Sequence, residues 1–308
     1  MLKPPFLGGT GPRRGSPCDR RGVEGTAQAA DVGIASRAGT SGCGVSVIII
    51  DNGLVHYEAI GRGRPLIFLH GWLGSWRYWM PTMEALSDRY RTYAFDLWGF
   101  GDSDRNAQRY DVDSYVAQLE QFIDQMGVSQ APLTLVGHAL GAVTALLYAG
   151  RAKTPPLRIM AVSTPMAAGA VGKRLTAGGG SVVDRVLGRR GAADYPEVDQ
   201  ESQKADPNAI AFSARSITNL DLHRVLETVN LPLLLVHGEK DPFITPPAPD
   251  LLRFSDRNVK PITLGDSRHF PMLDEASKFQ RLLKDFLETK PEDLSTLALK
   301  EEWRRRTH

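Results

Sequence analysis

The chain has 308 residues, 42% hydrophobic and 23% charged, with a formal net charge of +2. That is ample for a buried core, and a near-balanced charge without a basic stripe interleaved with aromatics argues against nucleic acid as a partner. No apolar run of about 18 residues occurs, so no membrane span is read.

Residues 1–44 hold both cysteines, Cys18 and Cys43, and ten glycines among scattered prolines and arginines. A disulfide framework for the rest of the chain is excluded. Lacking any sustained apolar period, the segment reads as a disordered tail. It has no compact apolar region of a secretory type. Its arginines would suit an organellar transit peptide, Asp19, Glu24 and Asp31 argue against one, and a misassigned start is an equal alternative; the expected location is cytoplasmic.

From Val45 the text becomes VSVIII, a turn Asp51-Asn52-Gly53 and LVHYEAIG, which predicts a β-hairpin. Pro65 to Leu69 is an apolar run suited to a strand buried on both faces, followed at once by His70-Gly71-Trp72-Leu73-Gly74. Helical text from Trp76 to Asp88, a strand at Tyr93 to Phe95, the loop Asp96 to Ser103 and an amphipathic stretch from Val112 to Met126 come next. Strands alternating with helical stretches imply parallel pairing through right-handed crossovers, so the class is α/β with a mostly parallel central sheet.

The densest signal is Leu133 to Leu147, LTLVGHALGAVTALL: strand, tight turn and helix in succession. Gly137 and Gly141 flank Ala139 by two positions each, letting the backbone reverse sharply and pushing the central side chain out at the carboxyl edge of the sheet. Such an elbow ordinarily presents a serine hydroxyl; alanine has no nucleophilic atom. Thr144, Ser163 and Thr164 carry hydroxyls, but none occupies the elbow tip. After a strand at Leu157 to Val162, residues of about 166–229 break the alternation and read as a helical cap insertion, with helical patches at Val182 to Leu187 and Ala209 to Val229. The alternation resumes with a strand at Leu231 to Val236, the turn Gly238 to Pro242, a short helix near Pro247 to Phe254, a strand at Lys260 to Leu264, the loop Asp266 to Pro271 and a helix from about Glu275 to Leu287. Residues 45–290 make the expected domain, and 291–308, ending near three arginines, a C-terminal tail.

Four marked loops, at His70, Gly137, Asp241 and His269, leave carboxyl strand ends, where ligands of open parallel sheets bind. With the D-x-x-G-x-G-x-S loop at Asp96, the order of these motifs from Val45 to Leu287 resembles the α/β-hydrolase fold superfamily, and within it the small esterase, epoxide-hydrolase and haloperoxidase-like branch. The resemblance implies that Asp241 orients His269, that His269 is the base, and that the backbone amides of Trp72 and Leu140 form an oxyanion hole. Trp98, His70 and His138 are taken as pocket residues, the two histidines also as supports of their loops by hydrogen bonds. No cofactor and no metal site is expected; the expected partner is a small apolar molecule or an ester-like substrate. The departure is Ala139, so serine-type ester hydrolysis is expected to be lost or very weak. Alternative readings are proton abstraction by the His-Asp pair, a non-catalytic binding protein for a small ligand, and a serine-to-alanine variant made to trap substrate.

Overall fold

Val47–Ile50 (β1) and Gly53–Gly61 (β2) form the hairpin, joined by Asp51 and Asn52, both with positive φ (51° and 61°). Positive φ at both central residues is the primed turn whose twist suits a hairpin. Gly53 opens β2, and it is glycine for room: a Cβ there would stand 2.6 Å from the Arg109 guanidinium and 2.9 Å from the Trp98 ring. The computed structural model describes residues 46–166, 168–177, 182–188, 190–247 and 258–300. The tail reading of 1–44, most of the expected helix near Pro247 to Phe254 and the arginines at 304–306 lie outside these residues.

Six further strands complete one sheet: Arg64–Leu69 (β3), Tyr90–Phe95 (β4), Thr134–His138 (β5), Arg158–Val162 (β6), Leu233–Gly238 (β7) and Val259–Leu264 (β8). Their order is β1-β2-β4-β3-β5-β6-β7-β8, antiparallel at β1/β2 and β2/β4 and parallel elsewhere. This is the mostly parallel α/β sheet that the alternation predicts. β5 lies inside it between β3 and β6, and all five of its residues are buried.

Helices cover both faces. Val112–Gln125 (α2) starts where the Asp111 carboxylate accepts from the Ser114 amide at 2.8 Å, and it buries Val112, Tyr115, Val116, Leu119, Phe122 and Ile123, a helical spacing. It packs on Leu140–Arg151 (α3), which leaves the elbow. Met80–Leu86 (α1) packs on Ala276–Glu288 (α11), whose Phe279, Leu282, Leu283, Phe286 and Leu287 are buried; each such side chain contributes about 1.5–3 kcal/mol as an upper estimate. The expected helix at Trp76 to Asp88 is a 3₁₀ turn, Trp76–Trp79, running into α1. Between β6 and β7 the described residues form six helices: Ala168–Thr176 (α4), Val182–Leu187 (α5), Gly191–Asp194 (α6), Pro196–Ser202 (α7), Pro207–Ile217 (α8) and Leu222–Thr228 (α9). Pro271–Asp274 (α10) precedes α11. Beyond α11, Pro291–Thr296 forms a 3₁₀ helix and buries Leu294, and Leu297 is buried after it, so ordered packing continues past the expected end of the domain at residue 290. No helix among the described residues is long and apolar enough to cross a membrane.

Candidate active site

The turn between β5 and α3 has the geometry of a nucleophile elbow. Ala139 sits at φ 48°, ψ −106°, a region that costs a non-glycine residue about 1–3 kcal/mol. Neighbours hold it there. Its amide donates to Val162 O at 2.9 Å, and Ala142 and Val143 donate back to its carbonyl. Both flanking glycines are required by space: a Cβ on Gly137 would stand 2.4 Å from Gly141 O, and one on Gly141 2.5 Å from Leu69 O. A Cβ on Gly71 would stand 3.0 Å from the Ala139 methyl, so the loop after β3 lies against the elbow tip.

Asp241 follows β7 and His269 follows β8. One carboxylate oxygen of Asp241 accepts from the amides of Phe243 (2.8 Å) and Ile244 (3.1 Å), and the other lies 2.8 Å from His269 Nδ1. A carboxylate only accepts, so Nδ1 carries the proton and Nε2 keeps a lone pair. Burial works to raise the Asp241 pKa, but the facing His269 and the two amides outweigh it and hold the carboxyl below its usual range. The two loops are brought together because β7 ends at Gly238, where any Cβ would strike Arg268 O at 2.0 Å. Phe243 stands edge-on to the His269 ring, with centroids 5.2 Å apart.

The Trp72 amide, in the loop after β3, and the Leu140 amide, at the first turn of α3, have no hydrogen-bond acceptor among the described residues. Two unmatched donors beside an elbow, one at a helix N-terminus, are what a developing oxyanion requires. The Trp72 side chain turns away, its Nε1 donating to Ser213 Oγ of α8 at 2.9 Å.

Trp98, His70 and His138 are each tied to neighbouring segments. Trp98 is turned toward the hairpin, beneath Gly53 and the Arg109 guanidinium, because its loop is tied down by Asp96 and Gln118. His70 is fully buried, its Nε2 accepting from Leu97 N at 2.9 Å and its Nδ1 facing Gly71 O at 2.9 Å; burial lowers its pKa to about 4. His138 is also buried, with both ring nitrogens bound within the protein, and burial, followed by the nearby His269, lowers its pKa well below the usual value. Of the other hydroxyls, Ser163 Oγ donates to His269 O at 3.0 Å and Thr144 Oγ1 to Leu140 O at 3.0 Å. Among the described residues no group of three or more His, Cys, Asp or Glu is placed to hold a metal ion.

Residues that sequence reasoning did not single out surround these loops. The Arg174 guanidinium of α4 bonds Pro242 O and lies over the Phe243 ring. Tyr195, between α6 and α7, donates to Asp274 at 2.5 Å, and Asp194 of α6 pairs with Arg268 at 2.7 Å. Different helices of the β6–β7 segment thus reach the Trp72, Asp241 and His269 loops, and Ala139 is 0% exposed.

A family model described as alpha/beta hydrolase fold matches residues 64–175. Epoxide hydrolase 4 of Mus musculus is 38% identical over 108 residues, 33% of this chain. The match spans only 30% of that protein's length, as it spans 32% of the soluble epoxide hydrolase of Corynebacterium sp.. A pimeloyl-[acyl-carrier protein] methyl ester esterase of Shewanella woodyi is 25% identical over 260 residues, 76% of this chain and 97% of that one. Among solved structures, an esterase from Exiguobacterium antarcticum superposes with a TM-score of 0.68 at 20% identity, covering 80% of this chain and all of the other. The strand order, the strained elbow and these likenesses agree: the chain has the α/β-hydrolase fold, and its residues 64–175 match the model of that family.

Proposed function

We propose that this protein keeps the base, the orienting acid and the oxyanion donors of an acyl-transfer site and lacks only the nucleophilic oxygen, so that ester hydrolysis is absent or very weak. One observation carries the reading: Ala139 is held at φ 48° in the same loop cluster as an Asp241–His269 pair 2.8 Å apart. A backbone strained to present a side chain, with nothing reactive on it, is the mark of a site that has lost one atom rather than its architecture. In this reading the helices from α4 to α9 form a cap. The substrate class is an ester, or a related small molecule, of the kind named for the esterase relatives.

The test is a pair of proteins. With p-nitrophenyl acetate the natural chain is expected to show no burst and no covalent adduct with a fluorophosphonate, whereas Ala139→Ser gives both. Background turnover in the natural chain is compatible with this, since binding and an oxyanion hole alone leave roughly 10³–10⁴-fold acceleration over water. A fluorophosphonate adduct on the natural chain would reveal another nucleophile and overturn the reading.

A second reading, a binding protein for a small and mostly apolar ligand, has its own support. A cavity of about 600 Å³ lies among α4 to α8, lined by Leu175, Val182, Ala192 and Ile210, with the charged Arg185 and Asp199 also on its wall. That volume falls in the range of small-molecule sites. Ligand affinity unchanged by Ala139→Ser, with no turnover in either protein, would put this reading first.

A further inference from the structure

We propose that Tyr78 and His138 are positioning residues that join the Trp72 loop, the elbow and the His269 loop through one directional hydrogen-bond chain. The proposal rests on the reading of His269 as base and of the Trp72 and Leu140 amides as oxyanion donors.

The chain has only one consistent direction. Gly71 N–H can only donate, and Tyr78 Oη accepts it at 2.7 Å. The phenol hydrogen is then free for His138 Nδ1, 3.1 Å away. His269 O can only accept, so the proton of neutral His138 sits on Nε2, which donates to it at 2.9 Å, and Nδ1 is left to accept from the phenol. Ser163 Oγ donates to the same carbonyl at 3.0 Å. His269 is thus held at both ends, its ring by Asp241 and its backbone by donors at the carboxyl ends of β5 and β6. Gly71, at the other end of the chain, immediately precedes Trp72.

The surroundings fit this assignment. Tyr78, His138, Ser163 and His269 are all buried, and the Tyr78 and His138 rings meet edge to face at 87°, with centroids 5.7 Å apart. Burial pushes the Tyr78 phenol well above its usual pKa and His138 well below, so both stay neutral. A second proton on His138 would point at Tyr78 and leave the phenol hydrogen without an acceptor. Gly74 makes room for the phenol: a Cβ there would lie 1.9 Å from the Tyr78 ring. Tyr78 touches none of the atoms that would react, which separates it from a catalytic residue.

Two measurements test the chain. In the Ala139→Ser background, Tyr78→Phe is expected to lower kcat for p-nitrophenyl acetate about 10²-fold, the scale of a misplaced catalytic group, with KM little changed. His138→Gln, which retains one acceptor and one donor, is expected to keep more activity than His138→Leu. Nitrogen-15 NMR of the natural chain at neutral pH is expected to show His138 as the Nε2–H tautomer, shifted by Tyr78→Phe. A kcat within about twofold of the parent in correctly folded Ala139→Ser/Tyr78→Phe, or an Nδ1–H tautomer at His138, would overturn the proposal. If Ala139→Ser is itself inert, the hydrolase reading falls, and the NMR result on the natural chain alone decides whether the hydrogen-bond chain exists.

Discussion

Ala139 is costly where it stands, and the histidines around it are costly to charge. Burial lowers the pKa of His70 and of His237 to about 4, and His138 lies well below its usual value. In the unfolded chain each takes a proton near 6.5. The unfolded state therefore binds more protons as the pH falls from 6.5 toward 4, and stability is lost across that window, on the order of 3 kcal/mol for a histidine lowered to about 4. Asp96 acts in the opposite sense. Burial raises its carboxyl from 3.8 to about 7 despite the amides of Asp102 and Trp76, so the folded state gains a proton that the unfolded state takes up only near 3.8, and stability rises as the pH falls below 7. Asp96→Asn removes that opposing gain. Urea melts from pH 7 to pH 5 are expected to show the variant losing stability more steeply than the natural chain; parallel curves would contradict the assignment.

Three helices of the segment between β6 and β7 hold loops of the candidate site. α8 holds Trp72 through Ser213, α4 holds Pro242 and Phe243 through Arg174, and α6 with Tyr195 holds Arg268 and Asp274. If these helices form the proposed cap, a reagent is expected to reach Ala139, which is 0% exposed, when they part. Thiol labelling of Ala139→Cys then measures the parted fraction. Removing one hydrogen bond by Tyr195→Phe or Ser213→Ala is worth about 1 kcal/mol, so each is expected to speed labelling roughly fivefold. Rates unchanged by both substitutions would show that these contacts do not control access.

Across the whole molecule, the sheet sets where the loops meet and the chain after α11 helps to hold it. Leu294 and Leu297 are buried against the core, and Lys260 of β8 donates to Ser295 O at 2.7 Å. Ending the chain after Lys290 removes both leucines, and at about 1.5–3 kcal/mol each the loss is expected to be about 3–6 kcal/mol. A melting temperature unchanged by that truncation would show that these contacts are not part of the stable fold. From the sequence, the domain is expected to end at residue 290, with 291–308 as a tail ending near the arginines at 304–306. Two leucines spaced by three residues are too weak a pattern to mark a packed segment.

The linear text alone determined the α/β class, the hairpin, the elbow and the order of the four loops, because each rests on local chemistry: a glycine where a Cβ has no room, an apolar run for a buried strand, a turn residue at positive φ. It also showed that position 139 has no nucleophilic atom, which needs no coordinates. What only the tertiary structure decided is direction and company. Whether His138 and Trp98 face a pocket or a wall depends on partners 131 residues away in the first case, at His269 O, and on a hairpin glycine in the second. Tyr78 was unreadable for the same reason: between two tryptophans in a short 3₁₀ turn it looks like packing. Its role comes from the hydroxyl, which meets Gly71 and His138 only after β3 and β5 lie side by side. A hydrogen bond is set by distance and direction in space, and residues distant in the chain acquire both only when the sheet assembles.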